Sequence, residues 1–81
     1  VAPTHILVIP KSAIRDVSCI ASLNTETVAG FLRGIAKAAE ACGLESSGYR
    51  TVMNTGEDGG QTVPYLHAHV LGGRKLAWPP G

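Results

Sequence analysis

Residues 61–74 read QTVPYLHAHVLGGR and carry two of the three histidines in the chain, His67 and His69. In a β-strand, the side chains of residues i and i+2 point to the same side. One face of a strand here would carry two imidazoles and a phenol, its members being Tyr65, His67, His69 and Leu71. The other face would be uniformly apolar, its members being Leu66, Ala68 and Val70. This alternation predicts a strand that buries one side against a core and presents two histidines on the other.

A second strand is predicted near the start of the chain. Residues 4–9 are aliphatic and β-branched, and they stop at Pro10, which has no N–H to donate to a ladder. The alternation places three side chains on one face, namely His5, Leu7 and Ile9. Taken alone, a single histidine at the start of a strand is most often a hydrogen-bonded structural residue.

The segments between these two strands have different patterns. Residues 11–22 predict an irregular connection with turns near Ser12 and Asp16. The side chains of residues 48–54 alternate in type, which predicts a third strand. Residues 55–61 contain three glycines and predict a turn-rich loop.

Residues 24–42 carry the one long helical pattern. Apolar side chains recur on one stripe at helical spacing, its members being Val28, Phe31, Leu32, Ile35, Ala39 and Cys42. Asn24 or Ser22 can cap the start of the helix, and Gly43 can supply the left-handed residue that ends it. The stripe predicts a helix that packs on a core and carries no chemistry.

The order of elements is strand, helix, strand, loop, strand. A helix after the first strand could make a right-handed parallel crossover. The loop between the last two strands is also short enough for an antiparallel pairing. The pattern alone leaves both arrangements open.

Composition limits the class of protein. Eighty-one residues with a net charge of +1 and 16% charged residues allow one small domain, and we expect neither nucleic acid nor a membrane as a partner. Cys19 and Cys42 form no Cys-x-x-Cys motif, which favours two free thiols in a reducing compartment, and we therefore expect a cytoplasmic protein.

The histidine segment resembles the signature of the histidine triad (HIT) family, His-φ-His-φ-His-φ-φ with φ apolar. The Hint branch of that family is similar to this chain over four further segments, which are residues 2–11, 48–54, 58–61 and 78–81. The resemblance therefore runs the length of the chain. One position departs from it, because the first histidine of the triad is Tyr65 here.

The resemblance implies an α+β fold, in which one long amphipathic helix packs on one face of an antiparallel sheet. It implies a single HIT-like domain over residues 1–81. The family has a further helix and hairpin before the position of Val1, which is not an initiator methionine. We therefore expect this sequence to be a fragment or the ordered part of a longer chain, without the family's ribose-binding acid and apolar base pocket.

The resemblance also implies a function, the hydrolysis of a purine nucleotide phosphoramidate or phosphoanhydride at its α-phosphate. His67 falls at the nucleophile, which forms a nucleotidyl-histidine intermediate that water then releases as a nucleoside monophosphate. The catalytic positions implied are His67, His69 and Thr62. The substrate-binding positions implied are Asn54, Gly60, Gln61, Tyr65, His5 and Trp78. No cofactor is expected.

The residue types themselves fit this chemistry. Two histidines on one strand face have Cα atoms about 6.6 to 7 Å apart, which suits holding a phosphate between two imidazoles or sharing a metal ion. A neutral imidazole is a good nucleophile, and it titrates near physiological pH. Glycines such as Gly59 and Gly60 let backbone N–H groups approach an anion closely. Thr62 adds a hydroxyl and Asn54 an amide.

Tyr65 raises two expectations. In the family, a backbone carbonyl at the first triad position orients the nucleophile, and Tyr65 has that carbonyl equally well. The first triad side chain in the family pairs with the histidine at the place of His5. We therefore expect the phenol of Tyr65 to face His5, where it can donate and accept, so that the pair could persist. It could equally narrow the pocket, because tyrosine is larger.

Three alternatives stay open. The first is a zinc site made by His5, His67 and His69, although a fourth protein ligand with motif spacing is missing. The second is a pair of polar histidines on an exposed strand without a function. The third is a non-catalytic nucleotide-binding or regulatory module that keeps the fold but has lost activity through Tyr65.

We also expect a homodimer. Three strands and one helix make a thin core, and small domains need additional stabilisation. Gly30 and Gly34 lie four residues apart on the helix and permit close approach by another element. Trp78 sits on an extended tail with two prolines, and aromatic residues of this kind are common interface anchors. The resemblance implies a tail that reaches toward the partner's active site.

Overall fold

A three-stranded sheet and one α-helix make up the fold. The computed structural model describes residues 2–80. Its elements in chain order are β1 (Thr4–Val8), a 3-10 helix (Val17–Ser22), α1 (Thr25–Ala41), β2 (Arg50–Val52) and β3 (Ala68–Gly72).

β3 is the central strand of the sheet, and both of its neighbours run antiparallel to it. On one side Thr4 lies opposite Gly72, and Val8 lies opposite Ala68. On the other side Arg50 lies opposite Leu71. The two strands joined by α1 are therefore not neighbours, which excludes the parallel crossover. The predicted α+β fold with an antiparallel sheet is confirmed.

The core lies between α1 and one face of the sheet. The predicted apolar face of the histidine segment is buried there, with Leu66 only 2% exposed and Ala68 and Val70 fully covered. The buried apolar residues are Ile14, Phe31, Ile35, Ala39, Leu44, Leu66, Ala68 and Val70. The opposite face of the sheet, which the helix does not cover, carries the histidines.

The ends of α1 follow the sequence prediction. The Asn24 side chain caps the start by accepting a hydrogen bond from the backbone N–H of Thr27 at 2.8 Å. Beyond the last turn, Gly43 has a φ of +70°, and the N–H of Leu44 reaches back to the carbonyl of Ala39. These contacts satisfy backbone groups that a helix terminus leaves unpaired.

The predicted apolar stripe of α1 is only partly buried. Phe31, Ile35 and Ala39 are buried, whereas Leu32 is 51% exposed and Cys42 is exposed. Leu32 follows Phe31 directly and is therefore rotated by about 100° around the helix axis. The three-stranded sheet is too narrow to cover a stripe that wide.

The connection between β1 and α1 is more regular than predicted. A 3-10 helix begins after Asp16, whose buried carboxylate accepts hydrogen bonds from the N–H of Ser18 at 2.9 Å and from Nε of Arg15 at 3.0 Å. Burial raises the pKa of Asp16, but these hydrogen bonds outweigh it, and the pKa lies below its ordinary value. The turn expected near Asp16 is thus the cap of a short helix.

The strands are shorter than predicted. β1 ends at Val8, two residues before Pro10, and β2 covers only Arg50–Val52. β3 begins at Ala68, so Tyr65 and His67 precede the strand, whereas the sequence placed them within it. A turn at Pro64, closed by a 2.8 Å hydrogen bond from the N–H of Tyr65 to the carbonyl of Val63, keeps this segment out of the ladder.

No helix within residues 2–80 is long and apolar enough to cross a membrane.

The burial of Leu66 generates a prediction about stability. The Leu66→Ala substitution should lower the free energy of unfolding by about 2–5 kcal/mol, because it leaves a cavity between α1 and the sheet. Val63→Ala is the matched control, since Val63 is in the same segment but is 54% exposed. We expect it to change stability by less than about 0.5 kcal/mol. Urea denaturation followed by far-UV circular dichroism measures both values, and equal losses would contradict the assignment of Leu66 to the core.

Candidate functional site

Three imidazoles come together on the sheet face opposite α1. His5 lies on β1 and His69 on β3, and the pairing sets His5 opposite Leu71, two residues from His69. This diagonal relation brings Nε2 of His5 within 2.8 Å of Nδ1 of His69. The ring of His69 lies 5.0 Å from that of His5 and 5.0 Å from that of His67, centroid to centroid. The structure therefore gathers all three histidines of the chain.

The orientation of His67 is fixed by a backbone carbonyl. Its Nδ1 lies 2.7 Å from the carbonyl oxygen of Tyr65. Because a carbonyl oxygen only accepts, Nδ1 must carry the hydrogen. In the neutral ring the lone pair is then on Nε2, the nitrogen that does not contact the carbonyl. This hydrogen bond is the one that the resemblance implied, and it uses the backbone of Tyr65 and not its side chain.

His69 lies between two other imidazoles and is half-buried. Its pKa is lowered, first by burial and then by the charges that His67 and His5 carry when protonated. The hydrogen bond between His5 and His69 requires one ring to donate and the other to accept. A neutral His69 is therefore favoured in the folded protein.

The side chain of Tyr65 is not where the sequence placed it. Its hydroxyl lies 2.9 Å from the carbonyl oxygen of Pro10 and 3.1 Å from that of Ser12. The expected contact between the phenol and His5 is wrong, since His5 bonds His69 instead. The physical reason is the position of Tyr65 before the strand, where its ring extends toward the end of β1.

The glycines before the histidine segment permit a tight loop. A Cβ atom on Gly59 would lie 2.4 Å from the carbonyl oxygen of Thr55, so no side chain fits there. Gly60 has a φ of +81°, and its N–H donates to the carbonyl of Glu57 at 3.0 Å. Within the loop, this N–H is engaged in a backbone hydrogen bond and not directed at a ligand.

Gln61 holds this loop in place. Its Nε2 donates to the carbonyls of Arg15 at 2.8 Å and Val63 at 3.0 Å, and its Oε1 accepts from the N–H of Gly56 at 3.0 Å. These contacts give the side chain a supporting role. Contact of Gln61 with a substrate stays a prediction, as it does for Gly60.

The other predicted site residues are spread over three segments outside the helices and strands. Thr62 is exposed in the segment that leads to the histidines, and Asn54 is half-buried two residues after β2. Trp78 is 79% exposed, and the guanidinium carbon of Arg50 lies 5.9 Å from the centroid of its ring. Arg50 also donates to the carbonyl of Ala77 at 2.8 Å. The tail is thus attached to β2.

An apolar cavity lies next to His67, and the sequence pattern did not predict this cavity. Its volume is about 340 Å³, and its lining residues are Leu7, Ile9, Val63, Tyr65 and His67. A signal for it existed, because the sequence pattern places His5, Leu7 and Ile9 on one face of the predicted first strand. Of that face, only His5 was predicted to belong to the site.

The zinc alternative receives no support from the arrangement of the side chains. Over residues 2–80, no three His, Cys, Asp or Glu side chains are grouped so that they could hold a metal ion. His5 and His69 use ring nitrogens on each other, and His67 uses Nδ1 on a carbonyl.

Known proteins resemble this chain over nearly all of its length. An uncharacterized HIT-like protein of Synechococcus elongatus is 52% identical over 80 residues, which cover 99% of this chain and 69% of that protein. An uncharacterized HIT-like protein of Azospirillum brasilense is 47% identical over 76 residues, covering 93% of this chain and 62% of that protein. The chain thus spans about two thirds of the length of these relatives.

The fold agrees with a solved structure. The crystal structure of a HIT family hydrolase from Legionella pneumophila superposes with a TM-score of 0.87 at 44% identity, over 99% of this chain and 71% of that one. The family described as HIT domain matches residues 1–76. The chain therefore belongs to the HIT domain family.

Proposed function

We propose that this protein is a nucleotide hydrolase of the Hint branch of the HIT family. It cleaves a phosphoramidate or phosphoanhydride at the α-phosphate of a purine nucleotide, with His67 as the nucleophile. The observation that carries this proposal is the 2.7 Å hydrogen bond from His67 Nδ1 to the carbonyl of Tyr65. It leaves the other ring nitrogen with its lone pair available.

The reaction proceeds in two displacements at phosphorus. Nε2 of His67 forms a bond to the α-phosphorus, the bond to the amine or phosphate leaving group breaks, and a departing amine takes a proton from solvent. Water then attacks the phosphorus of the nucleotidyl-histidine, the bond between phosphorus and Nε2 breaks, and a proton of the water passes to solvent. The nucleoside monophosphate is released and the ring is neutral again. Covalent catalysis of this kind divides one difficult step into two easier ones.

The neighbouring side chains supply the electrostatic stabilisation of the transition state. Because one ring of the neutral His5–His69 pair donates to the other, the pair has one N–H left for a ligand on this sheet face. We expect the Thr62 hydroxyl and the Asn54 amide to approach the same phosphate. Donors directed at phosphate oxygens stabilise the charge that develops in the transition state. A solved structure at 44% identity to this chain is named a HIT family hydrolase, which agrees with a hydrolytic reaction.

The alternative is a nucleotide-binding module without turnover. The observation in its favour is Tyr65 itself, which removes one imidazole from the triad and directs its hydroxyl toward Pro10 and Ser12. A single experiment distinguishes the two functions: incubation with an adenosine phosphoramidate and measurement of the AMP released. Binding of AMP without any turnover would support the module.

The His67→Ala substitution tests the nucleophile. We expect kcat to fall on the order of ten-thousandfold with nucleotide affinity largely unchanged, because removal of a nucleophile abolishes the covalent pathway. AMP release and mass spectrometry of acid-quenched protein measure turnover and the covalent intermediate. Thr51→Ala is the control, since Thr51 is an exposed polar residue on β2. An alanine variant at position 67 with comparable turnover would refute the assignment.

The lowered pKa of His69 predicts a pH dependence of stability. The unfolded chain takes up a proton at His69 near the ordinary value of about 6.5, whereas the folded protein does so only at lower pH. Between these values the unfolded state binds more protons. The contribution of His69 to the free energy of unfolding therefore falls as the pH drops from about 6.5 to the pKa of the folded state. Below that pKa the contribution is constant.

NMR titration of the imidazole signals measures this pKa directly. In His67→Ala the pKa of His69 should rise, since the second cause of its lowering is removed. Urea denaturation of His69→Gln over the same pH range should show a smaller pH dependence than the parent protein. A His69 that titrates at or above 6.5 in the parent protein would contradict the prediction.

We also propose a homodimer in which α1 meets its counterpart. Leu32, which is 51% exposed on α1, gives that surface an apolar centre. We expect light scattering at micromolar concentration to report twice the mass of the chain. Leu32→Glu should halve that mass, because it buries a charge in the interface, whereas Lys37→Glu on the exposed side of the same helix should not. A folded and active monomer in the parent protein would refute the proposal.

A further inference from the structure

His67 stands outside the hydrogen-bonded part of the sheet. The ladder between β1 and β3 ends at the pair Val8 and Ala68, one residue after His67. Pro10 lies just beyond that end and has no N–H to extend the ladder. The backbone that carries the proposed nucleophile must therefore be held by other contacts.

Tyr65 supplies such contacts from both of its ends. Its carbonyl accepts the hydrogen bond from His67 Nδ1 at 2.7 Å. Its hydroxyl reaches the carbonyls of Pro10 and Ser12 at 2.9 and 3.1 Å. One residue thus connects the imidazole to the chain that follows β1.

We propose that Tyr65 is a positioning residue for His67, whose hydroxyl anchors residue 65 to the segment after β1 and thereby fixes the carbonyl that selects the reactive tautomer of His67. The kinetic part of this proposal rests on the proposed function. The tautomer part concerns the free protein and does not depend on any activity.

The chemistry of the anchor favours a phenol. Both contacts of the hydroxyl are carbonyl oxygens, which only accept, so the side chain must donate. The phenol oxygen stands at the far end of a rigid ring with two rotatable bonds, so the anchor costs little conformational entropy. Imidazole is a shorter side chain and would not place a donor at the same distance from the backbone.

The carbonyl of residue 65 is fixed between neighbouring contacts. On one side the N–H of Tyr65 donates to Val63 at 2.8 Å, and on the other the N–H of Leu66 donates to the carbonyl of Ile14. The hydroxyl adds a third attachment through the side chain. Without it, the peptide plane between residues 65 and 66 is held mainly by the Leu66 N–H and can tilt about that contact, and the hydrogen bond to His67 weakens.

A weaker hydrogen bond changes the population of tautomers. Neutral imidazole carries its hydrogen on either nitrogen, and the bonded acceptor decides which. When the carbonyl moves, the form with hydrogen on Nε2 becomes populated, and in this form the lone pair is on Nδ1 and Nε2 cannot attack phosphorus. The rate should then fall in proportion to the lost population, whereas substrate binding is not affected.

The test compares Tyr65→Phe with Tyr49→Phe. Both variants lose one hydroxyl and keep the ring, and Tyr49 is an exposed residue next to β2 outside the site. Long-range proton–nitrogen NMR of free protein labelled at histidine reports the tautomer of His67. For Tyr65→Phe we expect the Nδ1–H form to lose its dominance, kcat to fall about five- to tenfold and KM to stay within twofold. Tyr49→Phe should change none of these.

Two results would overturn the proposal. One is an unchanged His67 tautomer in a folded Tyr65→Phe variant, and the other is a loss confined to KM. Absence of turnover in the parent protein would refute the proposed function instead, and the tautomer measurement would still decide the role of Tyr65.

A second substitution covers the case in which Tyr65→Phe does not fold. Replacement of Tyr65 by 3,5-difluorotyrosine keeps the ring and the hydroxyl, but the hydroxyl ionises closer to neutral pH. As it ionises it loses the proton that it donates, so the His67 tautomer should shift with the ionisation of that phenol. A tautomer that is constant through this ionisation would contradict the anchor.

Discussion

The antiparallel pairing of β3 with β1 is the constraint on which the rest of the molecule depends. It buries Leu66, Ala68 and Val70 under α1, and it exposes the histidines on the other face. The register that sets His5 opposite Leu71 also determines that His5 meets His69 diagonally. A shift of one residue would exchange the two faces and place imidazoles in the core. Core stability and the geometry of the site therefore come from the same set of backbone hydrogen bonds.

Periodicity in the sequence predicted much of this fold. The alternation after Pro64 identified the buried and exposed faces, and the cap at Asn24 and the glycine at position 43 located the ends of α1 to within a residue. Strand ends were less predictable, because β2 pairs over only three residues with β3 and the turn at Pro64 delays the start of β3. The extent of pairing along a strand is a property of the tertiary structure, and a local sequence pattern does not predict it. The short helix after Asp16 was missed although its cap is local, because Asp16 was interpreted only as part of a turn.

The candidate site was predictable in its residue types but not in its contacts. The spacing of His67 and His69 identified the two imidazoles, and the carbonyl of residue 65 was expected to orient His67. The partners of Tyr65, by contrast, are two backbone carbonyls at positions 10 and 12. Backbone acceptors have no identity in a sequence, so no pattern of residues could identify them. The support that Gln61 gives to the glycine loop was missed because it too uses main-chain groups.

The contact between Arg50 and Trp78 has a consequence for spectroscopy. Trp78 is the single tryptophan of the chain and lies on the tail, 79% exposed beneath a guanidinium group. Emission excited at the red edge of tryptophan absorption therefore reports the environment of the tail and not the packing of the core. A change in its wavelength would signal release of the tail from β2 while the secondary structure is intact. The protein thus contains an optical reporter for one local movement, and no fluorophore needs to be attached to observe it.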